Sequence, residues 1–211
     1  MTRAIERYLT SPLSVLALWQ PVATLCVAPD PAHDGKPAKE HETRHWYPYE
    51  KLPIAVAIHA AKKFDADNRD SFTVSPFREA LKRAGFYPGD PRPFLTRKLD
   101  PPAGLKPVPL GAIVGVATVV EILSATTPSQ DAIDRGVVPL NVNHLSQDDR
   151  AFGYFVPNAG DPHPFRYAWR LADAIMLPEP IPHSGRQDPL YPPDLHLREQ
   201  INAQLRGMVA P

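Results

Sequence analysis

The chain has 211 residues, with 23 basic and 23 acidic side chains and a formal charge of zero. That length suits one domain with its own core, or one domain with large insertions. The charge balance excludes a protein that holds long nucleic acid mainly through its phosphates, which needs a basic excess. The outlier is proline, at 27 residues, well above the usual level of about 5%. Proline removes a backbone donor and fixes φ, so short regular elements and long, stiff loops are expected.

In chain order, Met1 to Pro12 is charged and has no apolar signal core, so a cytoplasmic protein is the expectation. No apolar run reaches the roughly 18 residues of a membrane helix. Ser14 to Leu18 reads as a first strand. Pro21 suits the first position of a short buried helix running to Val27. Within it lies Cys26, the single cysteine, which excludes an internal disulfide and reads as an inert buried thiol. A polar loop follows to Ala38. From there Glu42, Arg44 and Trp46 alternate with Thr43 and His45, as on a strand. Leu52 to Ala60 is a continuous apolar run, the mark of a strand buried on both faces or of a barrel stave.

Ser75 to Gly85 predicts a helix. Ser75 is expected to cap it, Pro76 to start it, Lys82 and Arg83 to suit its C-terminal dipole, and Gly85 to stop it. Phe86 to Pro109 is proline-rich and reads as a long loop. Gly111 to Leu123 is the strongest strand. Ser146 opens a helix of the capping-box type. Phe165 to Ile175 alternates as another strand. Asp194 is placed to cap a last helix, at about 195–208, in which Leu197, Ile201, Leu205 and Met208 share one face. Without regular βαβ alternation a doubly wound sheet is disfavoured. The expected class is α+β, mostly β: a small β-barrel with peripheral short helices and long Pro-rich loops.

Metal binding is not expected. His41 and His45 share a strand face, but their α-carbons would lie about 13 Å apart at 3.3 Å per residue. There is no HExxH helix, no phosphate-binding glycine loop and no G-x-S-x-G elbow. No cofactor is implied.

Five segments, in order, resemble the ASCH (activating signal cointegrator homology) family of the PUA-like superfamily. They are Leu16-Ala17-Leu18-Trp19-Gln20-Pro21; Lys39-x-x-Glu42-Thr43-Arg44-x-Trp46; Ile58-His59-Ala60-Ala61-Lys62; Gly111 to Ala117; and Tyr167 to Leu171. The resemblance implies a PUA-like barrel over residues 11–180, with a Pro-rich insertion around 64–109 and a C-terminal extension over 181–211. It also implies a cleft for RNA, a nucleotide or a modified nucleoside, bordered by Trp19, Gln20, Lys39, Glu42, Arg44, His59 and Lys62. Some small ASCH relatives resemble amidohydrolases that deacylate N4 of cytidine with a Lys, a Thr and a Glu; others are linked with ribonuclease activity. The amidohydrolases read K-x-x-T, whereas this chain has Glu42 at the Thr position. Thr43 is adjacent, but one step along a strand turns it to the other face. Lys39 and Glu42 are therefore the candidate catalytic pair only if the protein is a hydrolase.

Each of these residues has a second reading. Lys39, Glu42 and Arg44 suit a pocket, Lys and Arg for phosphate or carbonyl oxygens and Glu for an exocyclic amine. They equally suit a solvated strand with weak ion pairs. Trp19 is either core or a stacking platform for a base. Gln20 either caps its helix or reads a base edge. His59 is either a satisfied core residue or, with Lys62 and Lys39, part of a patch for one phosphate. Trp46 and Trp169 are expected in the core. A third possibility is a protein partner docked by the Pro-rich loops.

Overall fold

The computed structural model of the protein describes residues 1–96, 100–157, 160–163, 165–188 and 190–209. Its strands are β1 (Leu13–Leu18), β2 (His41–Arg44), β3 (Ile54–Ala60), β4 (Ala112–Ser124), β5 (Val138–Pro139), β6 (Tyr167–Pro182) and β7 (Leu190–Tyr191). Its α-helices are α1 (Thr2–Thr10), α2 (Val22–Leu25), α3 (Ala66–Thr73), α4 (Ser75–Arg83), α5 (Arg92–Leu95), α6 (Gln130–Asp134), α7 (Gln147–Phe152) and α8 (Leu195–Gly207).

All seven strands join one mixed sheet, in the order β2-β6-β4-β3-β1-β7, with β5 beside the end of β4. The β1–β3 pair is parallel, and β3–β4, β4–β6 and β2–β6 are antiparallel. The sheet curls into a half-barrel. The guanidinium of Arg44, on edge strand β2, reaches the Ala17 carbonyl of β1 at 2.5 Å. Thus the α+β, barrel-like architecture with short peripheral helices is present, and one side chain spans the gap that full closure would fill with backbone pairing.

The apolar run in β3 is explained by its place at the centre of this sheet. Ile54, Val56, Ile58 and Ala60 join one core with Leu16, Leu18 and Trp169. Ala55 and Ala57 join another with Val15, Ile113 and residues of α1 and α8. Every β3 residue is buried. Trp169 packs edge-on to Trp46, with ring centroids 4.7 Å apart, and its indole donates to the Trp46 carbonyl at 3.3 Å. A third core lies under α3, α4 and α7, built from Leu25, Phe64, Phe72, Leu81, Phe86 and Phe152.

Some local expectations shift. Helix α4 begins at Ser75 itself, with Val74 in the cap position and no side-chain cap bond, so Ser75 is not the cap. Among its described residues, the Phe86–Pro109 stretch contains one short helix, α5. Strand β6 runs on to Pro182, well beyond Ile175. Its register against β4 shifts repeatedly, and Asp173 has a positive φ of 52°. The shift between Met176 and Ile181 spans Pro178 and Pro180, which cannot donate to a ladder. Among the described residues, no helix is long and apolar enough to cross a membrane.

Candidate functional site

Strand β2 is held from behind by Asp149 in α7. One oxygen of its carboxylate accepts from the backbone N–H groups of Glu40 and His41, both at 3.0 Å. The other lies 3.0 Å from His41 Nδ1. Burial alone would raise this carboxyl's pKa; the hydrogen bonds and charge of His41 outweigh it and hold the group below the ordinary range. The side chain of Ser146 caps α7 through the Asp149 amide at 2.9 Å, which sets Asp149 at the start of its helix.

In front of this anchor runs a line of charge. Lys39 is 1% exposed. Its ammonium donates to the His41 carbonyl and lies 3.8 Å from Glu42 Oε2. The other Glu42 oxygen is 3.5 Å from Arg44 Nε. Glu42 is 8% exposed, so a cation flanks this nearly dry carboxylate on each side. Arg44 Nε is itself buried and makes no hydrogen bond among the described residues.

Beside this line, where β2 faces the end of β1, opens a cleft of ≈ 480 Å³, within the usual size for small-ligand sites. Trp19, Val22, Glu42, Arg44, Tyr154 and Arg166 border it. Trp19 is 52% exposed, which excludes a role as core. Opposite, Arg166 is fixed by Asp161 and by the carbonyls of His163 (2.6 Å) and Phe165 (2.9 Å). Its guanidinium lies 4.8 Å from the centre of the Tyr154 ring, a cation–π arrangement that stiffens this wall. His45 stacks on His163 at 4.0 Å, nearly parallel. Burial first, then the charges of His163, Arg166 and Arg44, lower the His45 pKa. Thr43 also borders the cleft, and its hydroxyl accepts from the Tyr154 amide at 3.4 Å.

Across Trp19 and Arg44 lies a second cleft, of ≈ 380 Å³, bordered also by His59, Lys62, Lys63 and Arg186. His59 is buried, and its Nε2 lies 3.1 Å from the His183 carbonyl. A carbonyl only accepts, so Nε2 carries the proton. Nδ1 has no partner among the described residues. Burial lowers the pKa of both His59 and His183.

The structure therefore brings Trp19, Glu42 and Arg44 together in one cleft, and Trp19, Arg44, His59 and Lys62 in its neighbour. Lys39 stands behind Glu42 and borders a different cavity, with Cys26 and Arg170. Gln20 is buried in neither cleft. Its amide donates to Thr24 Oγ1 and the Pro109 carbonyl, both at 2.8 Å, and accepts from the Thr24 amide at 3.1 Å. It fixes the turn into α2, and both of its N–H donors are spent inside the fold. Tyr154 and Arg186 lie in irregular segments with no periodicity to place them, and Arg166, expected within an alternating strand, stands just before β6 (Tyr167–Pro182) and turns to the cleft wall.

One group of potential ligands, Asp30, His33 and Asp148, has donor atoms within 4.8 Å of one another. Arg83 already lies against both carboxylates, at 2.7 Å from Asp30 and 3.0 Å from Asp148. The guanidinium supplies the positive charge that the cluster needs.

No family model matches the chain, and no curated protein matches it. Among solved structures, it is similar to the ASCH protein of Zymomonas mobilis, with 13% identity, a TM-score of 0.41, and coverage of 95% of this chain and 96% of that one. Two mutant forms of the same Zymomonas mobilis protein match with TM-scores of 0.43, at 12% and 13% identity, over 92% of this chain and 98% of each of theirs. These structures bear the name of the family that the ordered motifs resemble.

Proposed function

We propose that the cleft between β1 and β2 binds a nucleobase of RNA, a nucleotide or a modified nucleoside, and that the protein is a binding module. The exposed Trp19 ring carries this reading. A large indole held half in water beside a polar floor suits stacking on a base, an interaction worth about 1–3 kcal/mol. Glu42 is placed to accept from an exocyclic amine. Arg44 and Arg166 supply planar cations for carbonyl or phosphate oxygens.

Hydrolysis on the same site, whether deacylation at N4 of cytidine or cleavage of RNA, would need Lys39 at the reacting atoms with Glu42 as base. The burial of Lys39, and its bonds to the His41 carbonyl and Glu42, favour binding over that alternative. The test is calorimetric titration with nucleosides, nucleotides and a short single-stranded RNA. Mass spectrometry of N4-acetylcytidine and the RNA after incubation runs alongside. Binding should weaken tenfold or more in Trp19→Ala, with no new product. Affinity unchanged in that variant overturns the stacking role. A product that disappears in Glu42→Gln establishes the hydrolase instead.

A further inference from the structure

We propose that the smaller cleft beyond Trp19 and Arg44 is a phosphate subsite, so that the occupant of the base cleft is a nucleotide or a nucleic-acid strand, not a free nucleoside. This rests on the base-binding reading above.

The cleft concentrates cations in a protein of zero net charge. Arg44, Lys62, Lys63 and Arg186 border it, and no carboxylate among the described residues does. Clustered charge of one sign in a concave surface raises the local concentration of the opposite ion. Two of these cations are oriented by aromatic rings. The Lys63 ammonium lies 5.5 Å from the centre of the Trp19 ring, and the Arg186 guanidinium 5.2 Å from that of Tyr191. Lys63 also pairs with Asp65 at 2.7 Å, so Lys62 and Arg186 are the stronger candidates for the anion.

The floor of the cleft is closely packed. Gly185 takes a φ of +73°, and a Cβ there would stand 2.6 Å from His59 Cε1. Only glycine lets this main chain close onto the imidazole. His59 is buried beneath this chain, and its Nδ1, without a partner among the described residues, is sealed from solvent. Because Trp19 and Arg44 border both clefts, a base on one side and its phosphate on the other belong to one continuous ligand.

The experiment is isothermal titration at fixed ionic strength with the four ribonucleosides, their 5′-monophosphates, inorganic phosphate and a trinucleotide RNA. It uses the full chain and its Lys62→Ala and Arg186→Ala variants, whose altered side chains are both exposed. At least one monophosphate should bind tenfold or more tighter than its nucleoside. Each variant should lose most of that increment and leave nucleoside affinity unchanged. Nucleosides and monophosphates of equal affinity, or an increment that survives both substitutions, overturn the phosphate subsite and leave the base cleft standing. If no nucleoside or nucleotide shows base dependence while inorganic phosphate binds and Arg186→Ala abolishes it, the subsite stands and the base-cleft reading fails. No binding of phosphate or of any nucleotide overturns the subsite outright. A trinucleotide tighter than every monophosphate assigns the subsite to a phosphodiester chain; equality assigns it to a terminal phosphate.

Discussion

At Lys39 the ammonium has exchanged water for the His41 carbonyl and the Glu42 carboxylate. Desolvating a charge is costly, and removing one member of a buried pair leaves the other uncompensated, typically at about 3–5 kcal/mol. Lys39→Met should therefore lower stability by about 3 kcal/mol in urea denaturation, because among the described residues Glu42 would keep the single cation of Arg44, at 3.5 Å. On the binding reading, affinity of the folded variant for nucleoside monophosphates should change less than tenfold. A variant of normal stability that no longer binds would place Lys39 against the ligand and return weight to the hydrolase alternative. Gln20 and Trp19 make the complementary point. They are adjacent in sequence, yet one is buried with both N–H donors spent inside the fold and the other presents its ring to solvent. No pattern in that motif separates the buried member from the exposed one.

Among the elements, β2 matters most to the site and is weakly built. It has four residues, pairs with β6 alone among the described strands, and lies at the sheet edge. What positions it is Asp149, whose carboxylate binds two β2-side amides and His41. Asp149→Asn replaces a charged acceptor and should destabilise the protein by about 1–3 kcal/mol at neutral pH. The pH dependence has a definite sign. The folded-state pKa is lowered, so the unfolded chain binds the proton more readily. The contribution is fully present above the ordinary carboxyl value of about 3.9 and is lost as pH falls through the depressed folded value. The stability gap between wild type and Asp149→Asn should stay constant from about pH 7 to 5 and shrink below about pH 4. A gap unchanged down to about pH 2 would show that the carboxylate charge does not hold β2.

Elements with strong local signals were legible. The apolar runs of β3 and β4 and the caps of α7 and α8 each carry their own instruction, and Ser146 and Asp194 both bond the amide three residues on. Helices α1 and α3 were not legible. In α1 only Ile5 and Tyr8 are buried among polar neighbours. In α3 the polar stretch Ala66 to Thr73 is organised by a reciprocal Asp65–Asn68 capping box instead of an apolar stripe. The five family-like segments fall on or beside β1, β2, β3, β4 and β6. The far wall of the cleft, Tyr154 and Arg166, depends on contacts with Asp161 and His163 within an irregular segment. Alternation marks Arg166 as a strand residue, but neither it nor anything around Tyr154 tells of the contacts that turn both to the cleft.

For the molecule as a whole, the sheet separates two tasks. One face and the β1–β2 opening carry the clefts; the other is covered by α1 and α8. Tyr8 ties α1 to the sheet through Thr118 at 3.0 Å and the Asp173 carbonyl at 2.7 Å, and burial raises its phenol to about 12. Arg198 of α8 donates to the carbonyls of Tyr8 and Ser11, at 2.6 and 2.9 Å. Beneath them Leu197, Ile201 and Leu205 are buried with Ile113, Val116 and Leu177, and no described α8 residue borders either cleft. Truncating a buried Ile to Ala costs about 2–5 kcal/mol, a large share of a typical stability of about 5–15 kcal/mol. Ile201→Ala should therefore lower the urea midpoint sharply while leaving nucleotide affinity unchanged in the absence of denaturant. Sites that share no partners add. The double variant Ile201→Ala/Trp19→Ala should then show the stability loss of the first and the binding loss of the second, without a coupling term. If Ile201→Ala alone weakens binding tenfold while its circular dichroism remains native, the outer helices set the spacing of β1 and β2. The half-barrel would then be a single mechanical unit, with its opening governed from the face that carries no ligand.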